Sequence, residues 1–323
     1  MIFKLSNLFF IMGNEILGLG EVVVDWVSLI DHFPEPDEKI DSLSQYIFSG
    51  GVTANFTVAA SRLGAKTGFF GAIGNDSYGN FLKNDFKNEN VDYSHLVTKE
   101  NKATPVNFIF VVKNTGEKVI IQSPYMHSTI PNISDLDEKV FENVKLLHTS
   151  AIYHDLTIKA IELAKKKNIF ISLDLEKQIA LRGLSKLKPI LQKVDLLIPN
   201  KAGAMQLSKG ENPEEAAKKF LELGVKTIII TLGEQGALIV TKDKNVIIPA
   251  IKVNPVDTTG AGDTFCAALC YSFVLKKFDI EKATLFANAA AALKIQNIGA
   301  RTGMPTYDEV IQFLKKRNFT EFF

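Results

Sequence analysis

Residues 257–268 read DTTGAGDTFCAA, and this stretch follows an apolar run over residues 246–253. Its glycines allow the backbone to turn tightly and to approach a ligand closely. The small residues that follow have helical spacing, so a helix is predicted to begin here. The first N–H groups of a helix have no partner inside it, and the helix dipole favours an anion at that end. The stretch therefore predicts a loop that holds a phosphate group or the charge of a transition state.

Asp263 lies at the start of this predicted helix and has two possible roles. An aspartate at this place commonly caps the helix. A carboxylate beside an anion site costs free energy, however, which favours a catalytic base as the competing role. Phosphoryl transfer uses such a base to orient the attacking hydroxyl group and to accept its proton.

Outward from this loop, the chain from 144 to 296 alternates strand-sized apolar runs with helix-sized amphipathic runs. This alternation is typical of an α/β fold with a mostly parallel sheet that helices cover on both faces. A first strand is expected over 16–24. The segments 42–48, 104–112 and 117–123 break the alternation, and the last two read as a hairpin. Together they predict a small β appendage at the edge of the sheet.

Composition excludes several classes of function. The 323 residues carry a formal net charge of +1, which does not favour nucleic acid or an anionic membrane as partner. Cys266 and Cys270 share one helix face, where a disulfide is disfavoured, and this usage fits a cytoplasmic protein. Residues 1–13 read as an N-terminal extension or a misassigned start, and their apolar run is too short to span a bilayer.

The stretch DTTGAGDTFCAA resembles the C-terminal signature of the ribokinase/PfkB carbohydrate kinase family along its whole length. A second family signature is similar to GGVTAN at residues 50–55, although Thr53 stands where the family usually has Gly, Ala or Pro. The resemblance extends from residue 14 to the end of the chain. It implies a ribokinase-like three-layer sandwich with a mostly parallel central sheet over 14–323. It also implies a small β lid formed by about 26–50 and 103–124.

The resemblance also implies the roles of particular residues. Asp263 is the expected catalytic base, and the backbone of Gly260, Ala261 and Gly262 is the expected anion hole. The positions expected to hold sugar hydroxyls are Asp25, Gly51 and Asn55. Asp25 could instead end a strand, and Asn55 could cap a helix.

Binding of ATP and Mg²⁺ is implied as well. The positions expected at the nucleotide are Asn200, Thr231, Gly233, Gly236 and Asn288. Plain packing in an alanine-rich helix is the alternative for Asn288. Asp257 and Thr259 resemble ligands of a monovalent cation such as K⁺.

One departure concerns the Mg²⁺ site. The family's Asn-x-x-Glu is replaced by Asn200-Lys201-Ala202-Gly203, so one carboxylate is missing. Glu176 follows another predicted strand, and we hypothesise that it restores the lost charge near the metal. The alternative is a solvated surface glutamate beside Lys177.

The implied activity is ATP-dependent phosphorylation of a primary hydroxymethyl group on a small sugar-like substrate. Ribose itself is not favoured, because Val52 replaces a lysine of ribose-specific members and residues 148–151 lack an acidic side chain. A ketose, another sugar or a sugar acid is expected. One alternative is a nucleoside kinase in which Tyr125, Phe108 and Phe110 stack a base, and another is a non-catalytic binding regulator. The apolar run 107–112 needs cover, which favours a homodimer through the lid.

Overall fold

The computed structural model describes residues 13–319. Its central sheet has nine strands, and all neighbouring pairs are parallel except for the two pairs at one edge. In spatial order they are β15 (Asn245–Ile248), β14 (Ala237–Val240), β13 (Thr227–Thr231), β12 (Leu196–Pro199), β11 (Phe170–Leu175), β10 (Leu146–Thr149), β1 (Ile16–Leu19), β4 (Thr67–Phe70) and β6 (Val91–Asp92). The predicted α/β class with a mostly parallel central sheet is confirmed.

Helices cover both faces of this sheet, and each face has its own apolar core. One face carries α1 (Val52–Arg62), α2 (Ser77–Asn88), α8 (Ala261–Cys270), α9 (Ile280–Lys294) and α10 (Tyr307–Lys315). The other carries α3 (His154–Lys166), α4 (Lys177–Ala180), α5 (Leu184–Leu191), α6 (Lys201–Ser208) and α7 (Pro213–Glu222). Successive strand residues alternate between the two cores, as Ile16 and Leu17 do in β1. Both faces are therefore buried, which explains the continuous apolar runs of the parallel strands.

A second sheet of four strands stands beside the first. Its spatial order is β3 (Ser44–Gly50), β2 (Val23–Ile30), β8 (Val106–Val112) and β9 (Lys118–Ile121). A short parallel pair, β5 (Ala72–Gly74) and β7 (Val97–Lys99), forms a third sheet.

The single strand expected over 16–24 is wrong, because the chain changes sheets within it. β1 ends at Leu19 in the central sheet, and β2 begins at Val23 in the second sheet. Between them, Glu21 turns inward and its carboxylate accepts a hydrogen bond from the amide of Val52 at 2.9 Å. The Gly-Glu interruption in the apolar run is thus the point of transfer between the sheets.

The expected N-terminal extension lies outside the described residues, apart from Gly13. Over residues 13–319, every helix is too short or too polar to cross a lipid bilayer.

Candidate active site

Four acidic residues, among them the predicted Asp263 and Glu176, gather where β1 and β11 end and α8 begins. Ligand sites in open α/β sheets lie beyond the carboxyl ends of parallel strands. Glu21 follows β1, Asp174 and Glu176 lie at the end of β11, and Asp263 lies in the first turn of α8. The charges of these four groups act on one another, which places them in a single acidic cluster.

The loop before α8 has the geometry of an anion site. Gly260 adopts a left-handed conformation with φ of 79°, and a Cβ there would lie 2.1 Å from the carbonyl oxygen of Ala300. Only glycine fits such a position. α8 then begins at Ala261, whose amide donates to the carbonyl oxygen of Thr258 at 3.2 Å. The positive end of the helix dipole lies at this loop and favours an anion there.

Asp257 holds this loop against the segment that follows α9. Its carboxylate accepts hydrogen bonds from the amide of Thr259 at 2.9 Å and from the amide of Gly299 at 2.8 Å. These two bonds to the charged form, with the field of Lys294, keep the pKa of Asp257 below its usual range despite burial. The carboxylate is therefore ionised and serves as a bridge between the two segments.

Asp263 does not cap α8, because Gly260 is the N-cap residue and Asp263 lies in the first turn. Its carboxylate instead accepts a hydrogen bond from Nδ2 of Asn55 at 2.8 Å. Asn55 likewise does not cap a helix, since α1 begins after Gly51. The two helix-capping alternatives are thus excluded.

Arg301 stands behind this pair. Its Nε donates to Oδ1 of Asn55 at 2.8 Å, and its guanidinium forms an ion pair with Asp85. Arg301 is only 8% exposed. The guanidinium therefore fixes which way the Asn55 amide points, and that amide orients the carboxylate of Asp263.

Burial controls the charge of the acidic cluster. It raises the pKa of Asp263 to about 8, with Glu176 and Glu21 adding repulsion, while Asn55 and Arg301 oppose the shift. Burial likewise raises the pKa of Glu21 to about 7. The pKa values of Asp174 and Glu176 are raised mainly by burial too. A carboxyl with a pKa near neutrality is suited to exchanging a proton with a substrate at physiological pH.

Asp25 faces a cavity of about 650 Å³ between the second sheet and the anion loop. Thr258 and Thr259 line the same cavity. Asp25 accepts a hydrogen bond from Nδ2 of Asn107 at 3.0 Å, and burial raises its pKa. Asp25 does not end a strand, because it lies inside β2. A buried acceptor pair on a cavity wall is suited to binding hydroxyl groups.

Glu176 and Gly203 are neighbours in space. A Cβ on Gly203 would lie 2.2 Å from the carbonyl oxygen of Leu175 and 3.0 Å from the carbonyl carbon of Glu176. α6 therefore packs directly under the end of β11, and a glutamate at position 203 would clash with backbone. Glu176 is half-buried and its charge raises the pKa of Asp263, so it is not a freely solvated surface residue.

The expected nucleotide-binding residues fall into two local groups. Asn200 forms an isolated parallel bridge with Thr231 at the end of β13, and its side chain caps α6 through the amide of Gly203 at 2.7 Å. Asn288 donates to the carbonyl oxygens of Ile248 and Pro249 at 3.1 and 3.0 Å. Gly236 packs against the same Ile248 carbonyl, and Gly233 opens the intervening turn. The side-chain amide of Asn288 thus holds the backbone at residues 248 and 249 in place.

The aromatic residues suggested for base stacking do not face the cavity. Phe108 pairs with Trp26 and Phe110 with Ser28, so both lie on the face of the second sheet opposite to Asp25. Tyr125 is exposed outside the cavity lining. The aromatic side chains that line the cavity are Tyr46 and Phe48, stacked with centroids 5.7 Å apart.

Sequence reasoning missed four polar residues that support the site. They are Glu21, Asn107, Lys294 and Arg301. Asn107 and Lys294 each interrupt an apolar run, which was a usable signal. Nothing in the sequence indicated that Arg301 reaches Asn55, because the two residues are 246 positions apart in the chain.

Comparison with known proteins identifies the fold and its relatives. The pfkB family carbohydrate kinase description matches residues 14–307. A ribokinase of Haemophilus influenzae is 31% identical over 310 residues, which cover 94% of this chain and 99% of that one. A nucleoside kinase of Methanocaldococcus jannaschii is 28% identical, covering 94% and 97%. The crystal structure of a ribokinase from Thermotoga maritima superposes with a TM-score of 0.80 at 30% identity, covering 94% of this chain and 99% of that chain.

Proposed function

The chain belongs to the pfkB family of carbohydrate kinases, and we propose that it transfers the γ-phosphoryl group of ATP to a primary hydroxymethyl group of a small sugar. One arrangement carries the proposal: the carboxylate of Asp263, oriented by Asn55, lies in the first turn of a helix whose positive dipole end favours an anion. A base and an anion hole at one helix terminus are what phosphoryl transfer to an alcohol requires.

The chemistry follows from these positions. The hydroxyl oxygen of the sugar attacks the γ-phosphorus of ATP while Asp263 accepts the hydroxyl proton. The bond between the γ-phosphorus and the β-phosphate oxygen breaks, and ADP leaves. The backbone of Gly260, Ala261 and Gly262, at the N-terminus of α8, stabilises the negative charge of the transferred group. Asp25, Gly51 and Asn55 hold the other hydroxyls of the sugar. The nucleotide lies toward the ends of β12 and β13, near Asn200, Thr231 and Gly233.

Mg²⁺ fits the acidic cluster as an ion held largely through water. Among residues 13–319, no three carboxylate, histidine or cysteine side chains converge to hold a metal ion by themselves. Mg²⁺ usually keeps several waters and binds through one or two carboxylates and the phosphates. The backbone of Glu176 lies against position 203, where the expected glutamate is absent, and in this proposal the carboxylate of Glu176 supplies the missing charge. Bound Mg²⁺ would neutralise charge on the phosphates.

A neutral sugar agrees best with the cavity, because the carboxyl of Asp25, held by Asn107, offers hydrogen-bond acceptors at its wall. Ribose specificity is not favoured by Val52. Residues 148–151 have no acidic side chain of their own, but Glu21 accepts a hydrogen bond from Ser150 at 3.2 Å and so brings a carboxyl group to that segment. The second candidate is a nucleoside kinase, which the stacked pair Tyr46 and Phe48 at the cavity favours.

The second sheet acts in this proposal as a lid over the sugar. It forms one wall of the cavity, so closing it excludes water from the transfer. Its other face exposes a row of apolar side chains, among them Ile47, Phe108 and Ile121 at 44%, 47% and 55%. Two copies packed through this face would give it cover, so we propose a homodimer.

The decisive experiment measures ADP release with a panel of ketoses, aldoses, sugar acids and nucleosides. We expect a sugar to give the highest kcat/KM, and Asp263→Asn to lower turnover by about 10² to 10⁴-fold with little change in ATP affinity. Tyr46→Ala is the control for the alternative, since it should impair nucleosides far more than sugars. Activity of Asp263→Asn within tenfold of wild type would remove Asp263 from the mechanism.

A further inference from the structure

A lysine is buried beneath the anion loop. Lys294 ends α9, and its side chain has 0% exposure. Lysine is almost never fully buried unless its ammonium group is paired, because taking the charge out of water is costly. Something at this position must therefore compensate a full positive charge.

The compensation comes from backbone carbonyls. The Nζ atom of Lys294 donates to the carbonyl oxygens of Asp257 at 3.0 Å and of Asn297 at 3.3 Å. The carboxylate of Asp257 points elsewhere, since each of its oxygens accepts a backbone amide. The ammonium thus sits among carbonyl oxygens, which is also how proteins replace the hydration shell of a potassium ion.

The ammonium also joins two segments on which the anion loop depends. Asp257 opens that loop, and Asn297 belongs to the segment after α9. The same two segments are connected by bonds from the amides of Val256 and Asp257 to the carbonyl of Ile295, at 2.7 and 3.1 Å. Gly260 rests on this segment at Ala300. A positive charge here both fixes the loop and favours an anion above it.

The resemblance to the family implied a monovalent cation with Asp257 and Thr259 as ligands. The residues present do not fit a bound ion well, because the carbonyl of Asp257 already accepts from Lys294 and both of its carboxylate oxygens accept amides. We propose that the ammonium group of Lys294 is the resident cation of this site, so that the kinase works without K⁺. The proposal rests on the phosphoryl-transfer function proposed above. Burial lowers the pKa of Lys294, while the charges of Asp257 and Asp263 raise it.

The first test is turnover at constant ionic strength, with KCl, NaCl or NH₄Cl replacing tetramethylammonium chloride. Wild type should change by less than about twofold. Lys294→Ala removes the ammonium and leaves space, so its activity should fall by about 10²-fold, the scale of a lost charge-stabilising group, and return in part with K⁺ or NH₄⁺. Lys294→Met fills the space with an uncharged side chain. Its activity should fall by the same factor and should not recover with K⁺ or NH₄⁺.

The second test does not need activity. A cation that binds only the folded protein raises the melting temperature, and the rise grows with the cation concentration relative to its Kd. K⁺ should therefore stabilise Lys294→Ala and leave wild type and Lys294→Met unchanged at equal ionic strength. This expectation holds even if no substrate in the panel is phosphorylated, which separates the two proposals.

Two results would overturn the inference. One is a wild-type protein whose turnover or melting temperature rises with K⁺ at constant ionic strength. The other is a Lys294→Ala protein that is fully active and indifferent to K⁺. If Lys294→Ala does not fold, the wild-type titration still decides the matter by itself.

Discussion

Among single residues, Arg301 affects the candidate site indirectly, through Asn55 and through its charge. It is not part of the lining of the 650 Å³ cavity, yet its charge opposes the rise in the pKa of Asp263, and its Nε donates to Oδ1 of Asn55, whose amide contacts the proposed base. Asp263 must be ionised to accept a proton. With its pKa near 8 in the free protein, kcat/KM should rise with pH up to about 8 and level off above.

Arg301→Met should move this profile. Removing the positive charge raises the pKa of Asp263 further, so less of the carboxyl is ionised near neutral pH. Activity there should fall by up to about tenfold if that pKa rises from 8 to about 9, and it should recover in alkaline buffer. Arg301→Lys keeps the charge and should change the profile less. The measurement is kcat/KM from about pH 6 to 10, with melting temperatures recorded alongside. An equal loss at every pH would show that Arg301 serves the fold and not the base.

Glu176 is the second residue with a specific prediction. If it supplies the charge that Gly203 lacks, Glu176→Gln should require several-fold more Mg²⁺ for half-maximal turnover, since outer groups near a metal tune its affinity. The exposed Glu142→Gln is the matched control, because it removes the same charge far from the site. Superimposable Mg²⁺ curves for wild type and Glu176→Gln would rule the role out. Restoring Glu at 203 is not a usable test, because its Cβ would meet the Leu175 carbonyl.

At the level of elements, the sequence predicted those with strong periodicity and missed those set by tertiary contacts. The strands over 196–199 and 227–231 belong to the alternation predicted for residues 144–296, because continuous apolar runs between polar residues mark buried parallel strands. α6 escaped prediction, since Lys201–Ser208 mixes small and polar residues and is fixed by the Asn200 cap. The transfer between sheets at Gly20 and Glu21 was also missed, because both strands read as one apolar run.

The candidate site divides in the same way. Residues inside the two signatures, such as Asp263 and Asn55, lie together in the structure. Their supports Arg301 and Lys294 come from the end of α9 and the segment after it, where no periodicity reveals their contacts. Side chains that act through long-range hydrogen bonds leave no local pattern, so only the fold brings them into view.

The second sheet offers an element-scale prediction. Phe108→Asp places a charge in the exposed apolar row and should convert a dimer into a monomer, because an unpaired charge in a buried interface is costly. Sugar affinity should fall as the lid loses its support, while ATP affinity changes little. Ile133→Asp, an equally exposed residue outside the sheet, is the control. Light scattering that shows monomeric wild type at micromolar concentration would contradict the proposed dimer.

At the scale of the whole molecule, the acidic cluster sets how stability depends on pH. Glu21 and Asp263 have folded-state pKa values of about 7 and 8, above those of the unfolded chain. The folded protein therefore holds these two protons more tightly than the unfolded chain does. Their contribution to the free energy of unfolding is fully present below the unfolded pKa values, and it is lost as pH rises through the folded values of about 7 and 8. Folding thus brings the carboxyl groups of the acidic cluster together, and their mutual repulsion grows as they ionise at high pH.

The ligand-free protein should accordingly melt at lower temperature at about pH 9 than at about pH 6. Asp263→Asn removes one ionising group from the cluster and should reduce this decline, leaving the variant more stable than wild type in alkaline buffer. Asp243→Asn, at an exposed turn, should follow the wild-type curve. Parallel curves for wild type and Asp263→Asn would show that the cluster does not govern alkaline stability.

The places where the chain passes between the central sheet and the second sheet have a consequence for how related enzymes can differ. The chain leaves the body after Glu21 and returns at Val52, and these residues are hydrogen-bonded to each other. It leaves again near Pro105, whose carbonyl oxygen accepts from the amide of Val24 at 3.0 Å. Residues 23–50 and 106–121 thus leave the central sheet as two segments whose ends lie beside one another. On the proposed function, we expect that exchanging this unit between related enzymes as a cassette would change the substrate preference and leave the residues at α8 unaltered.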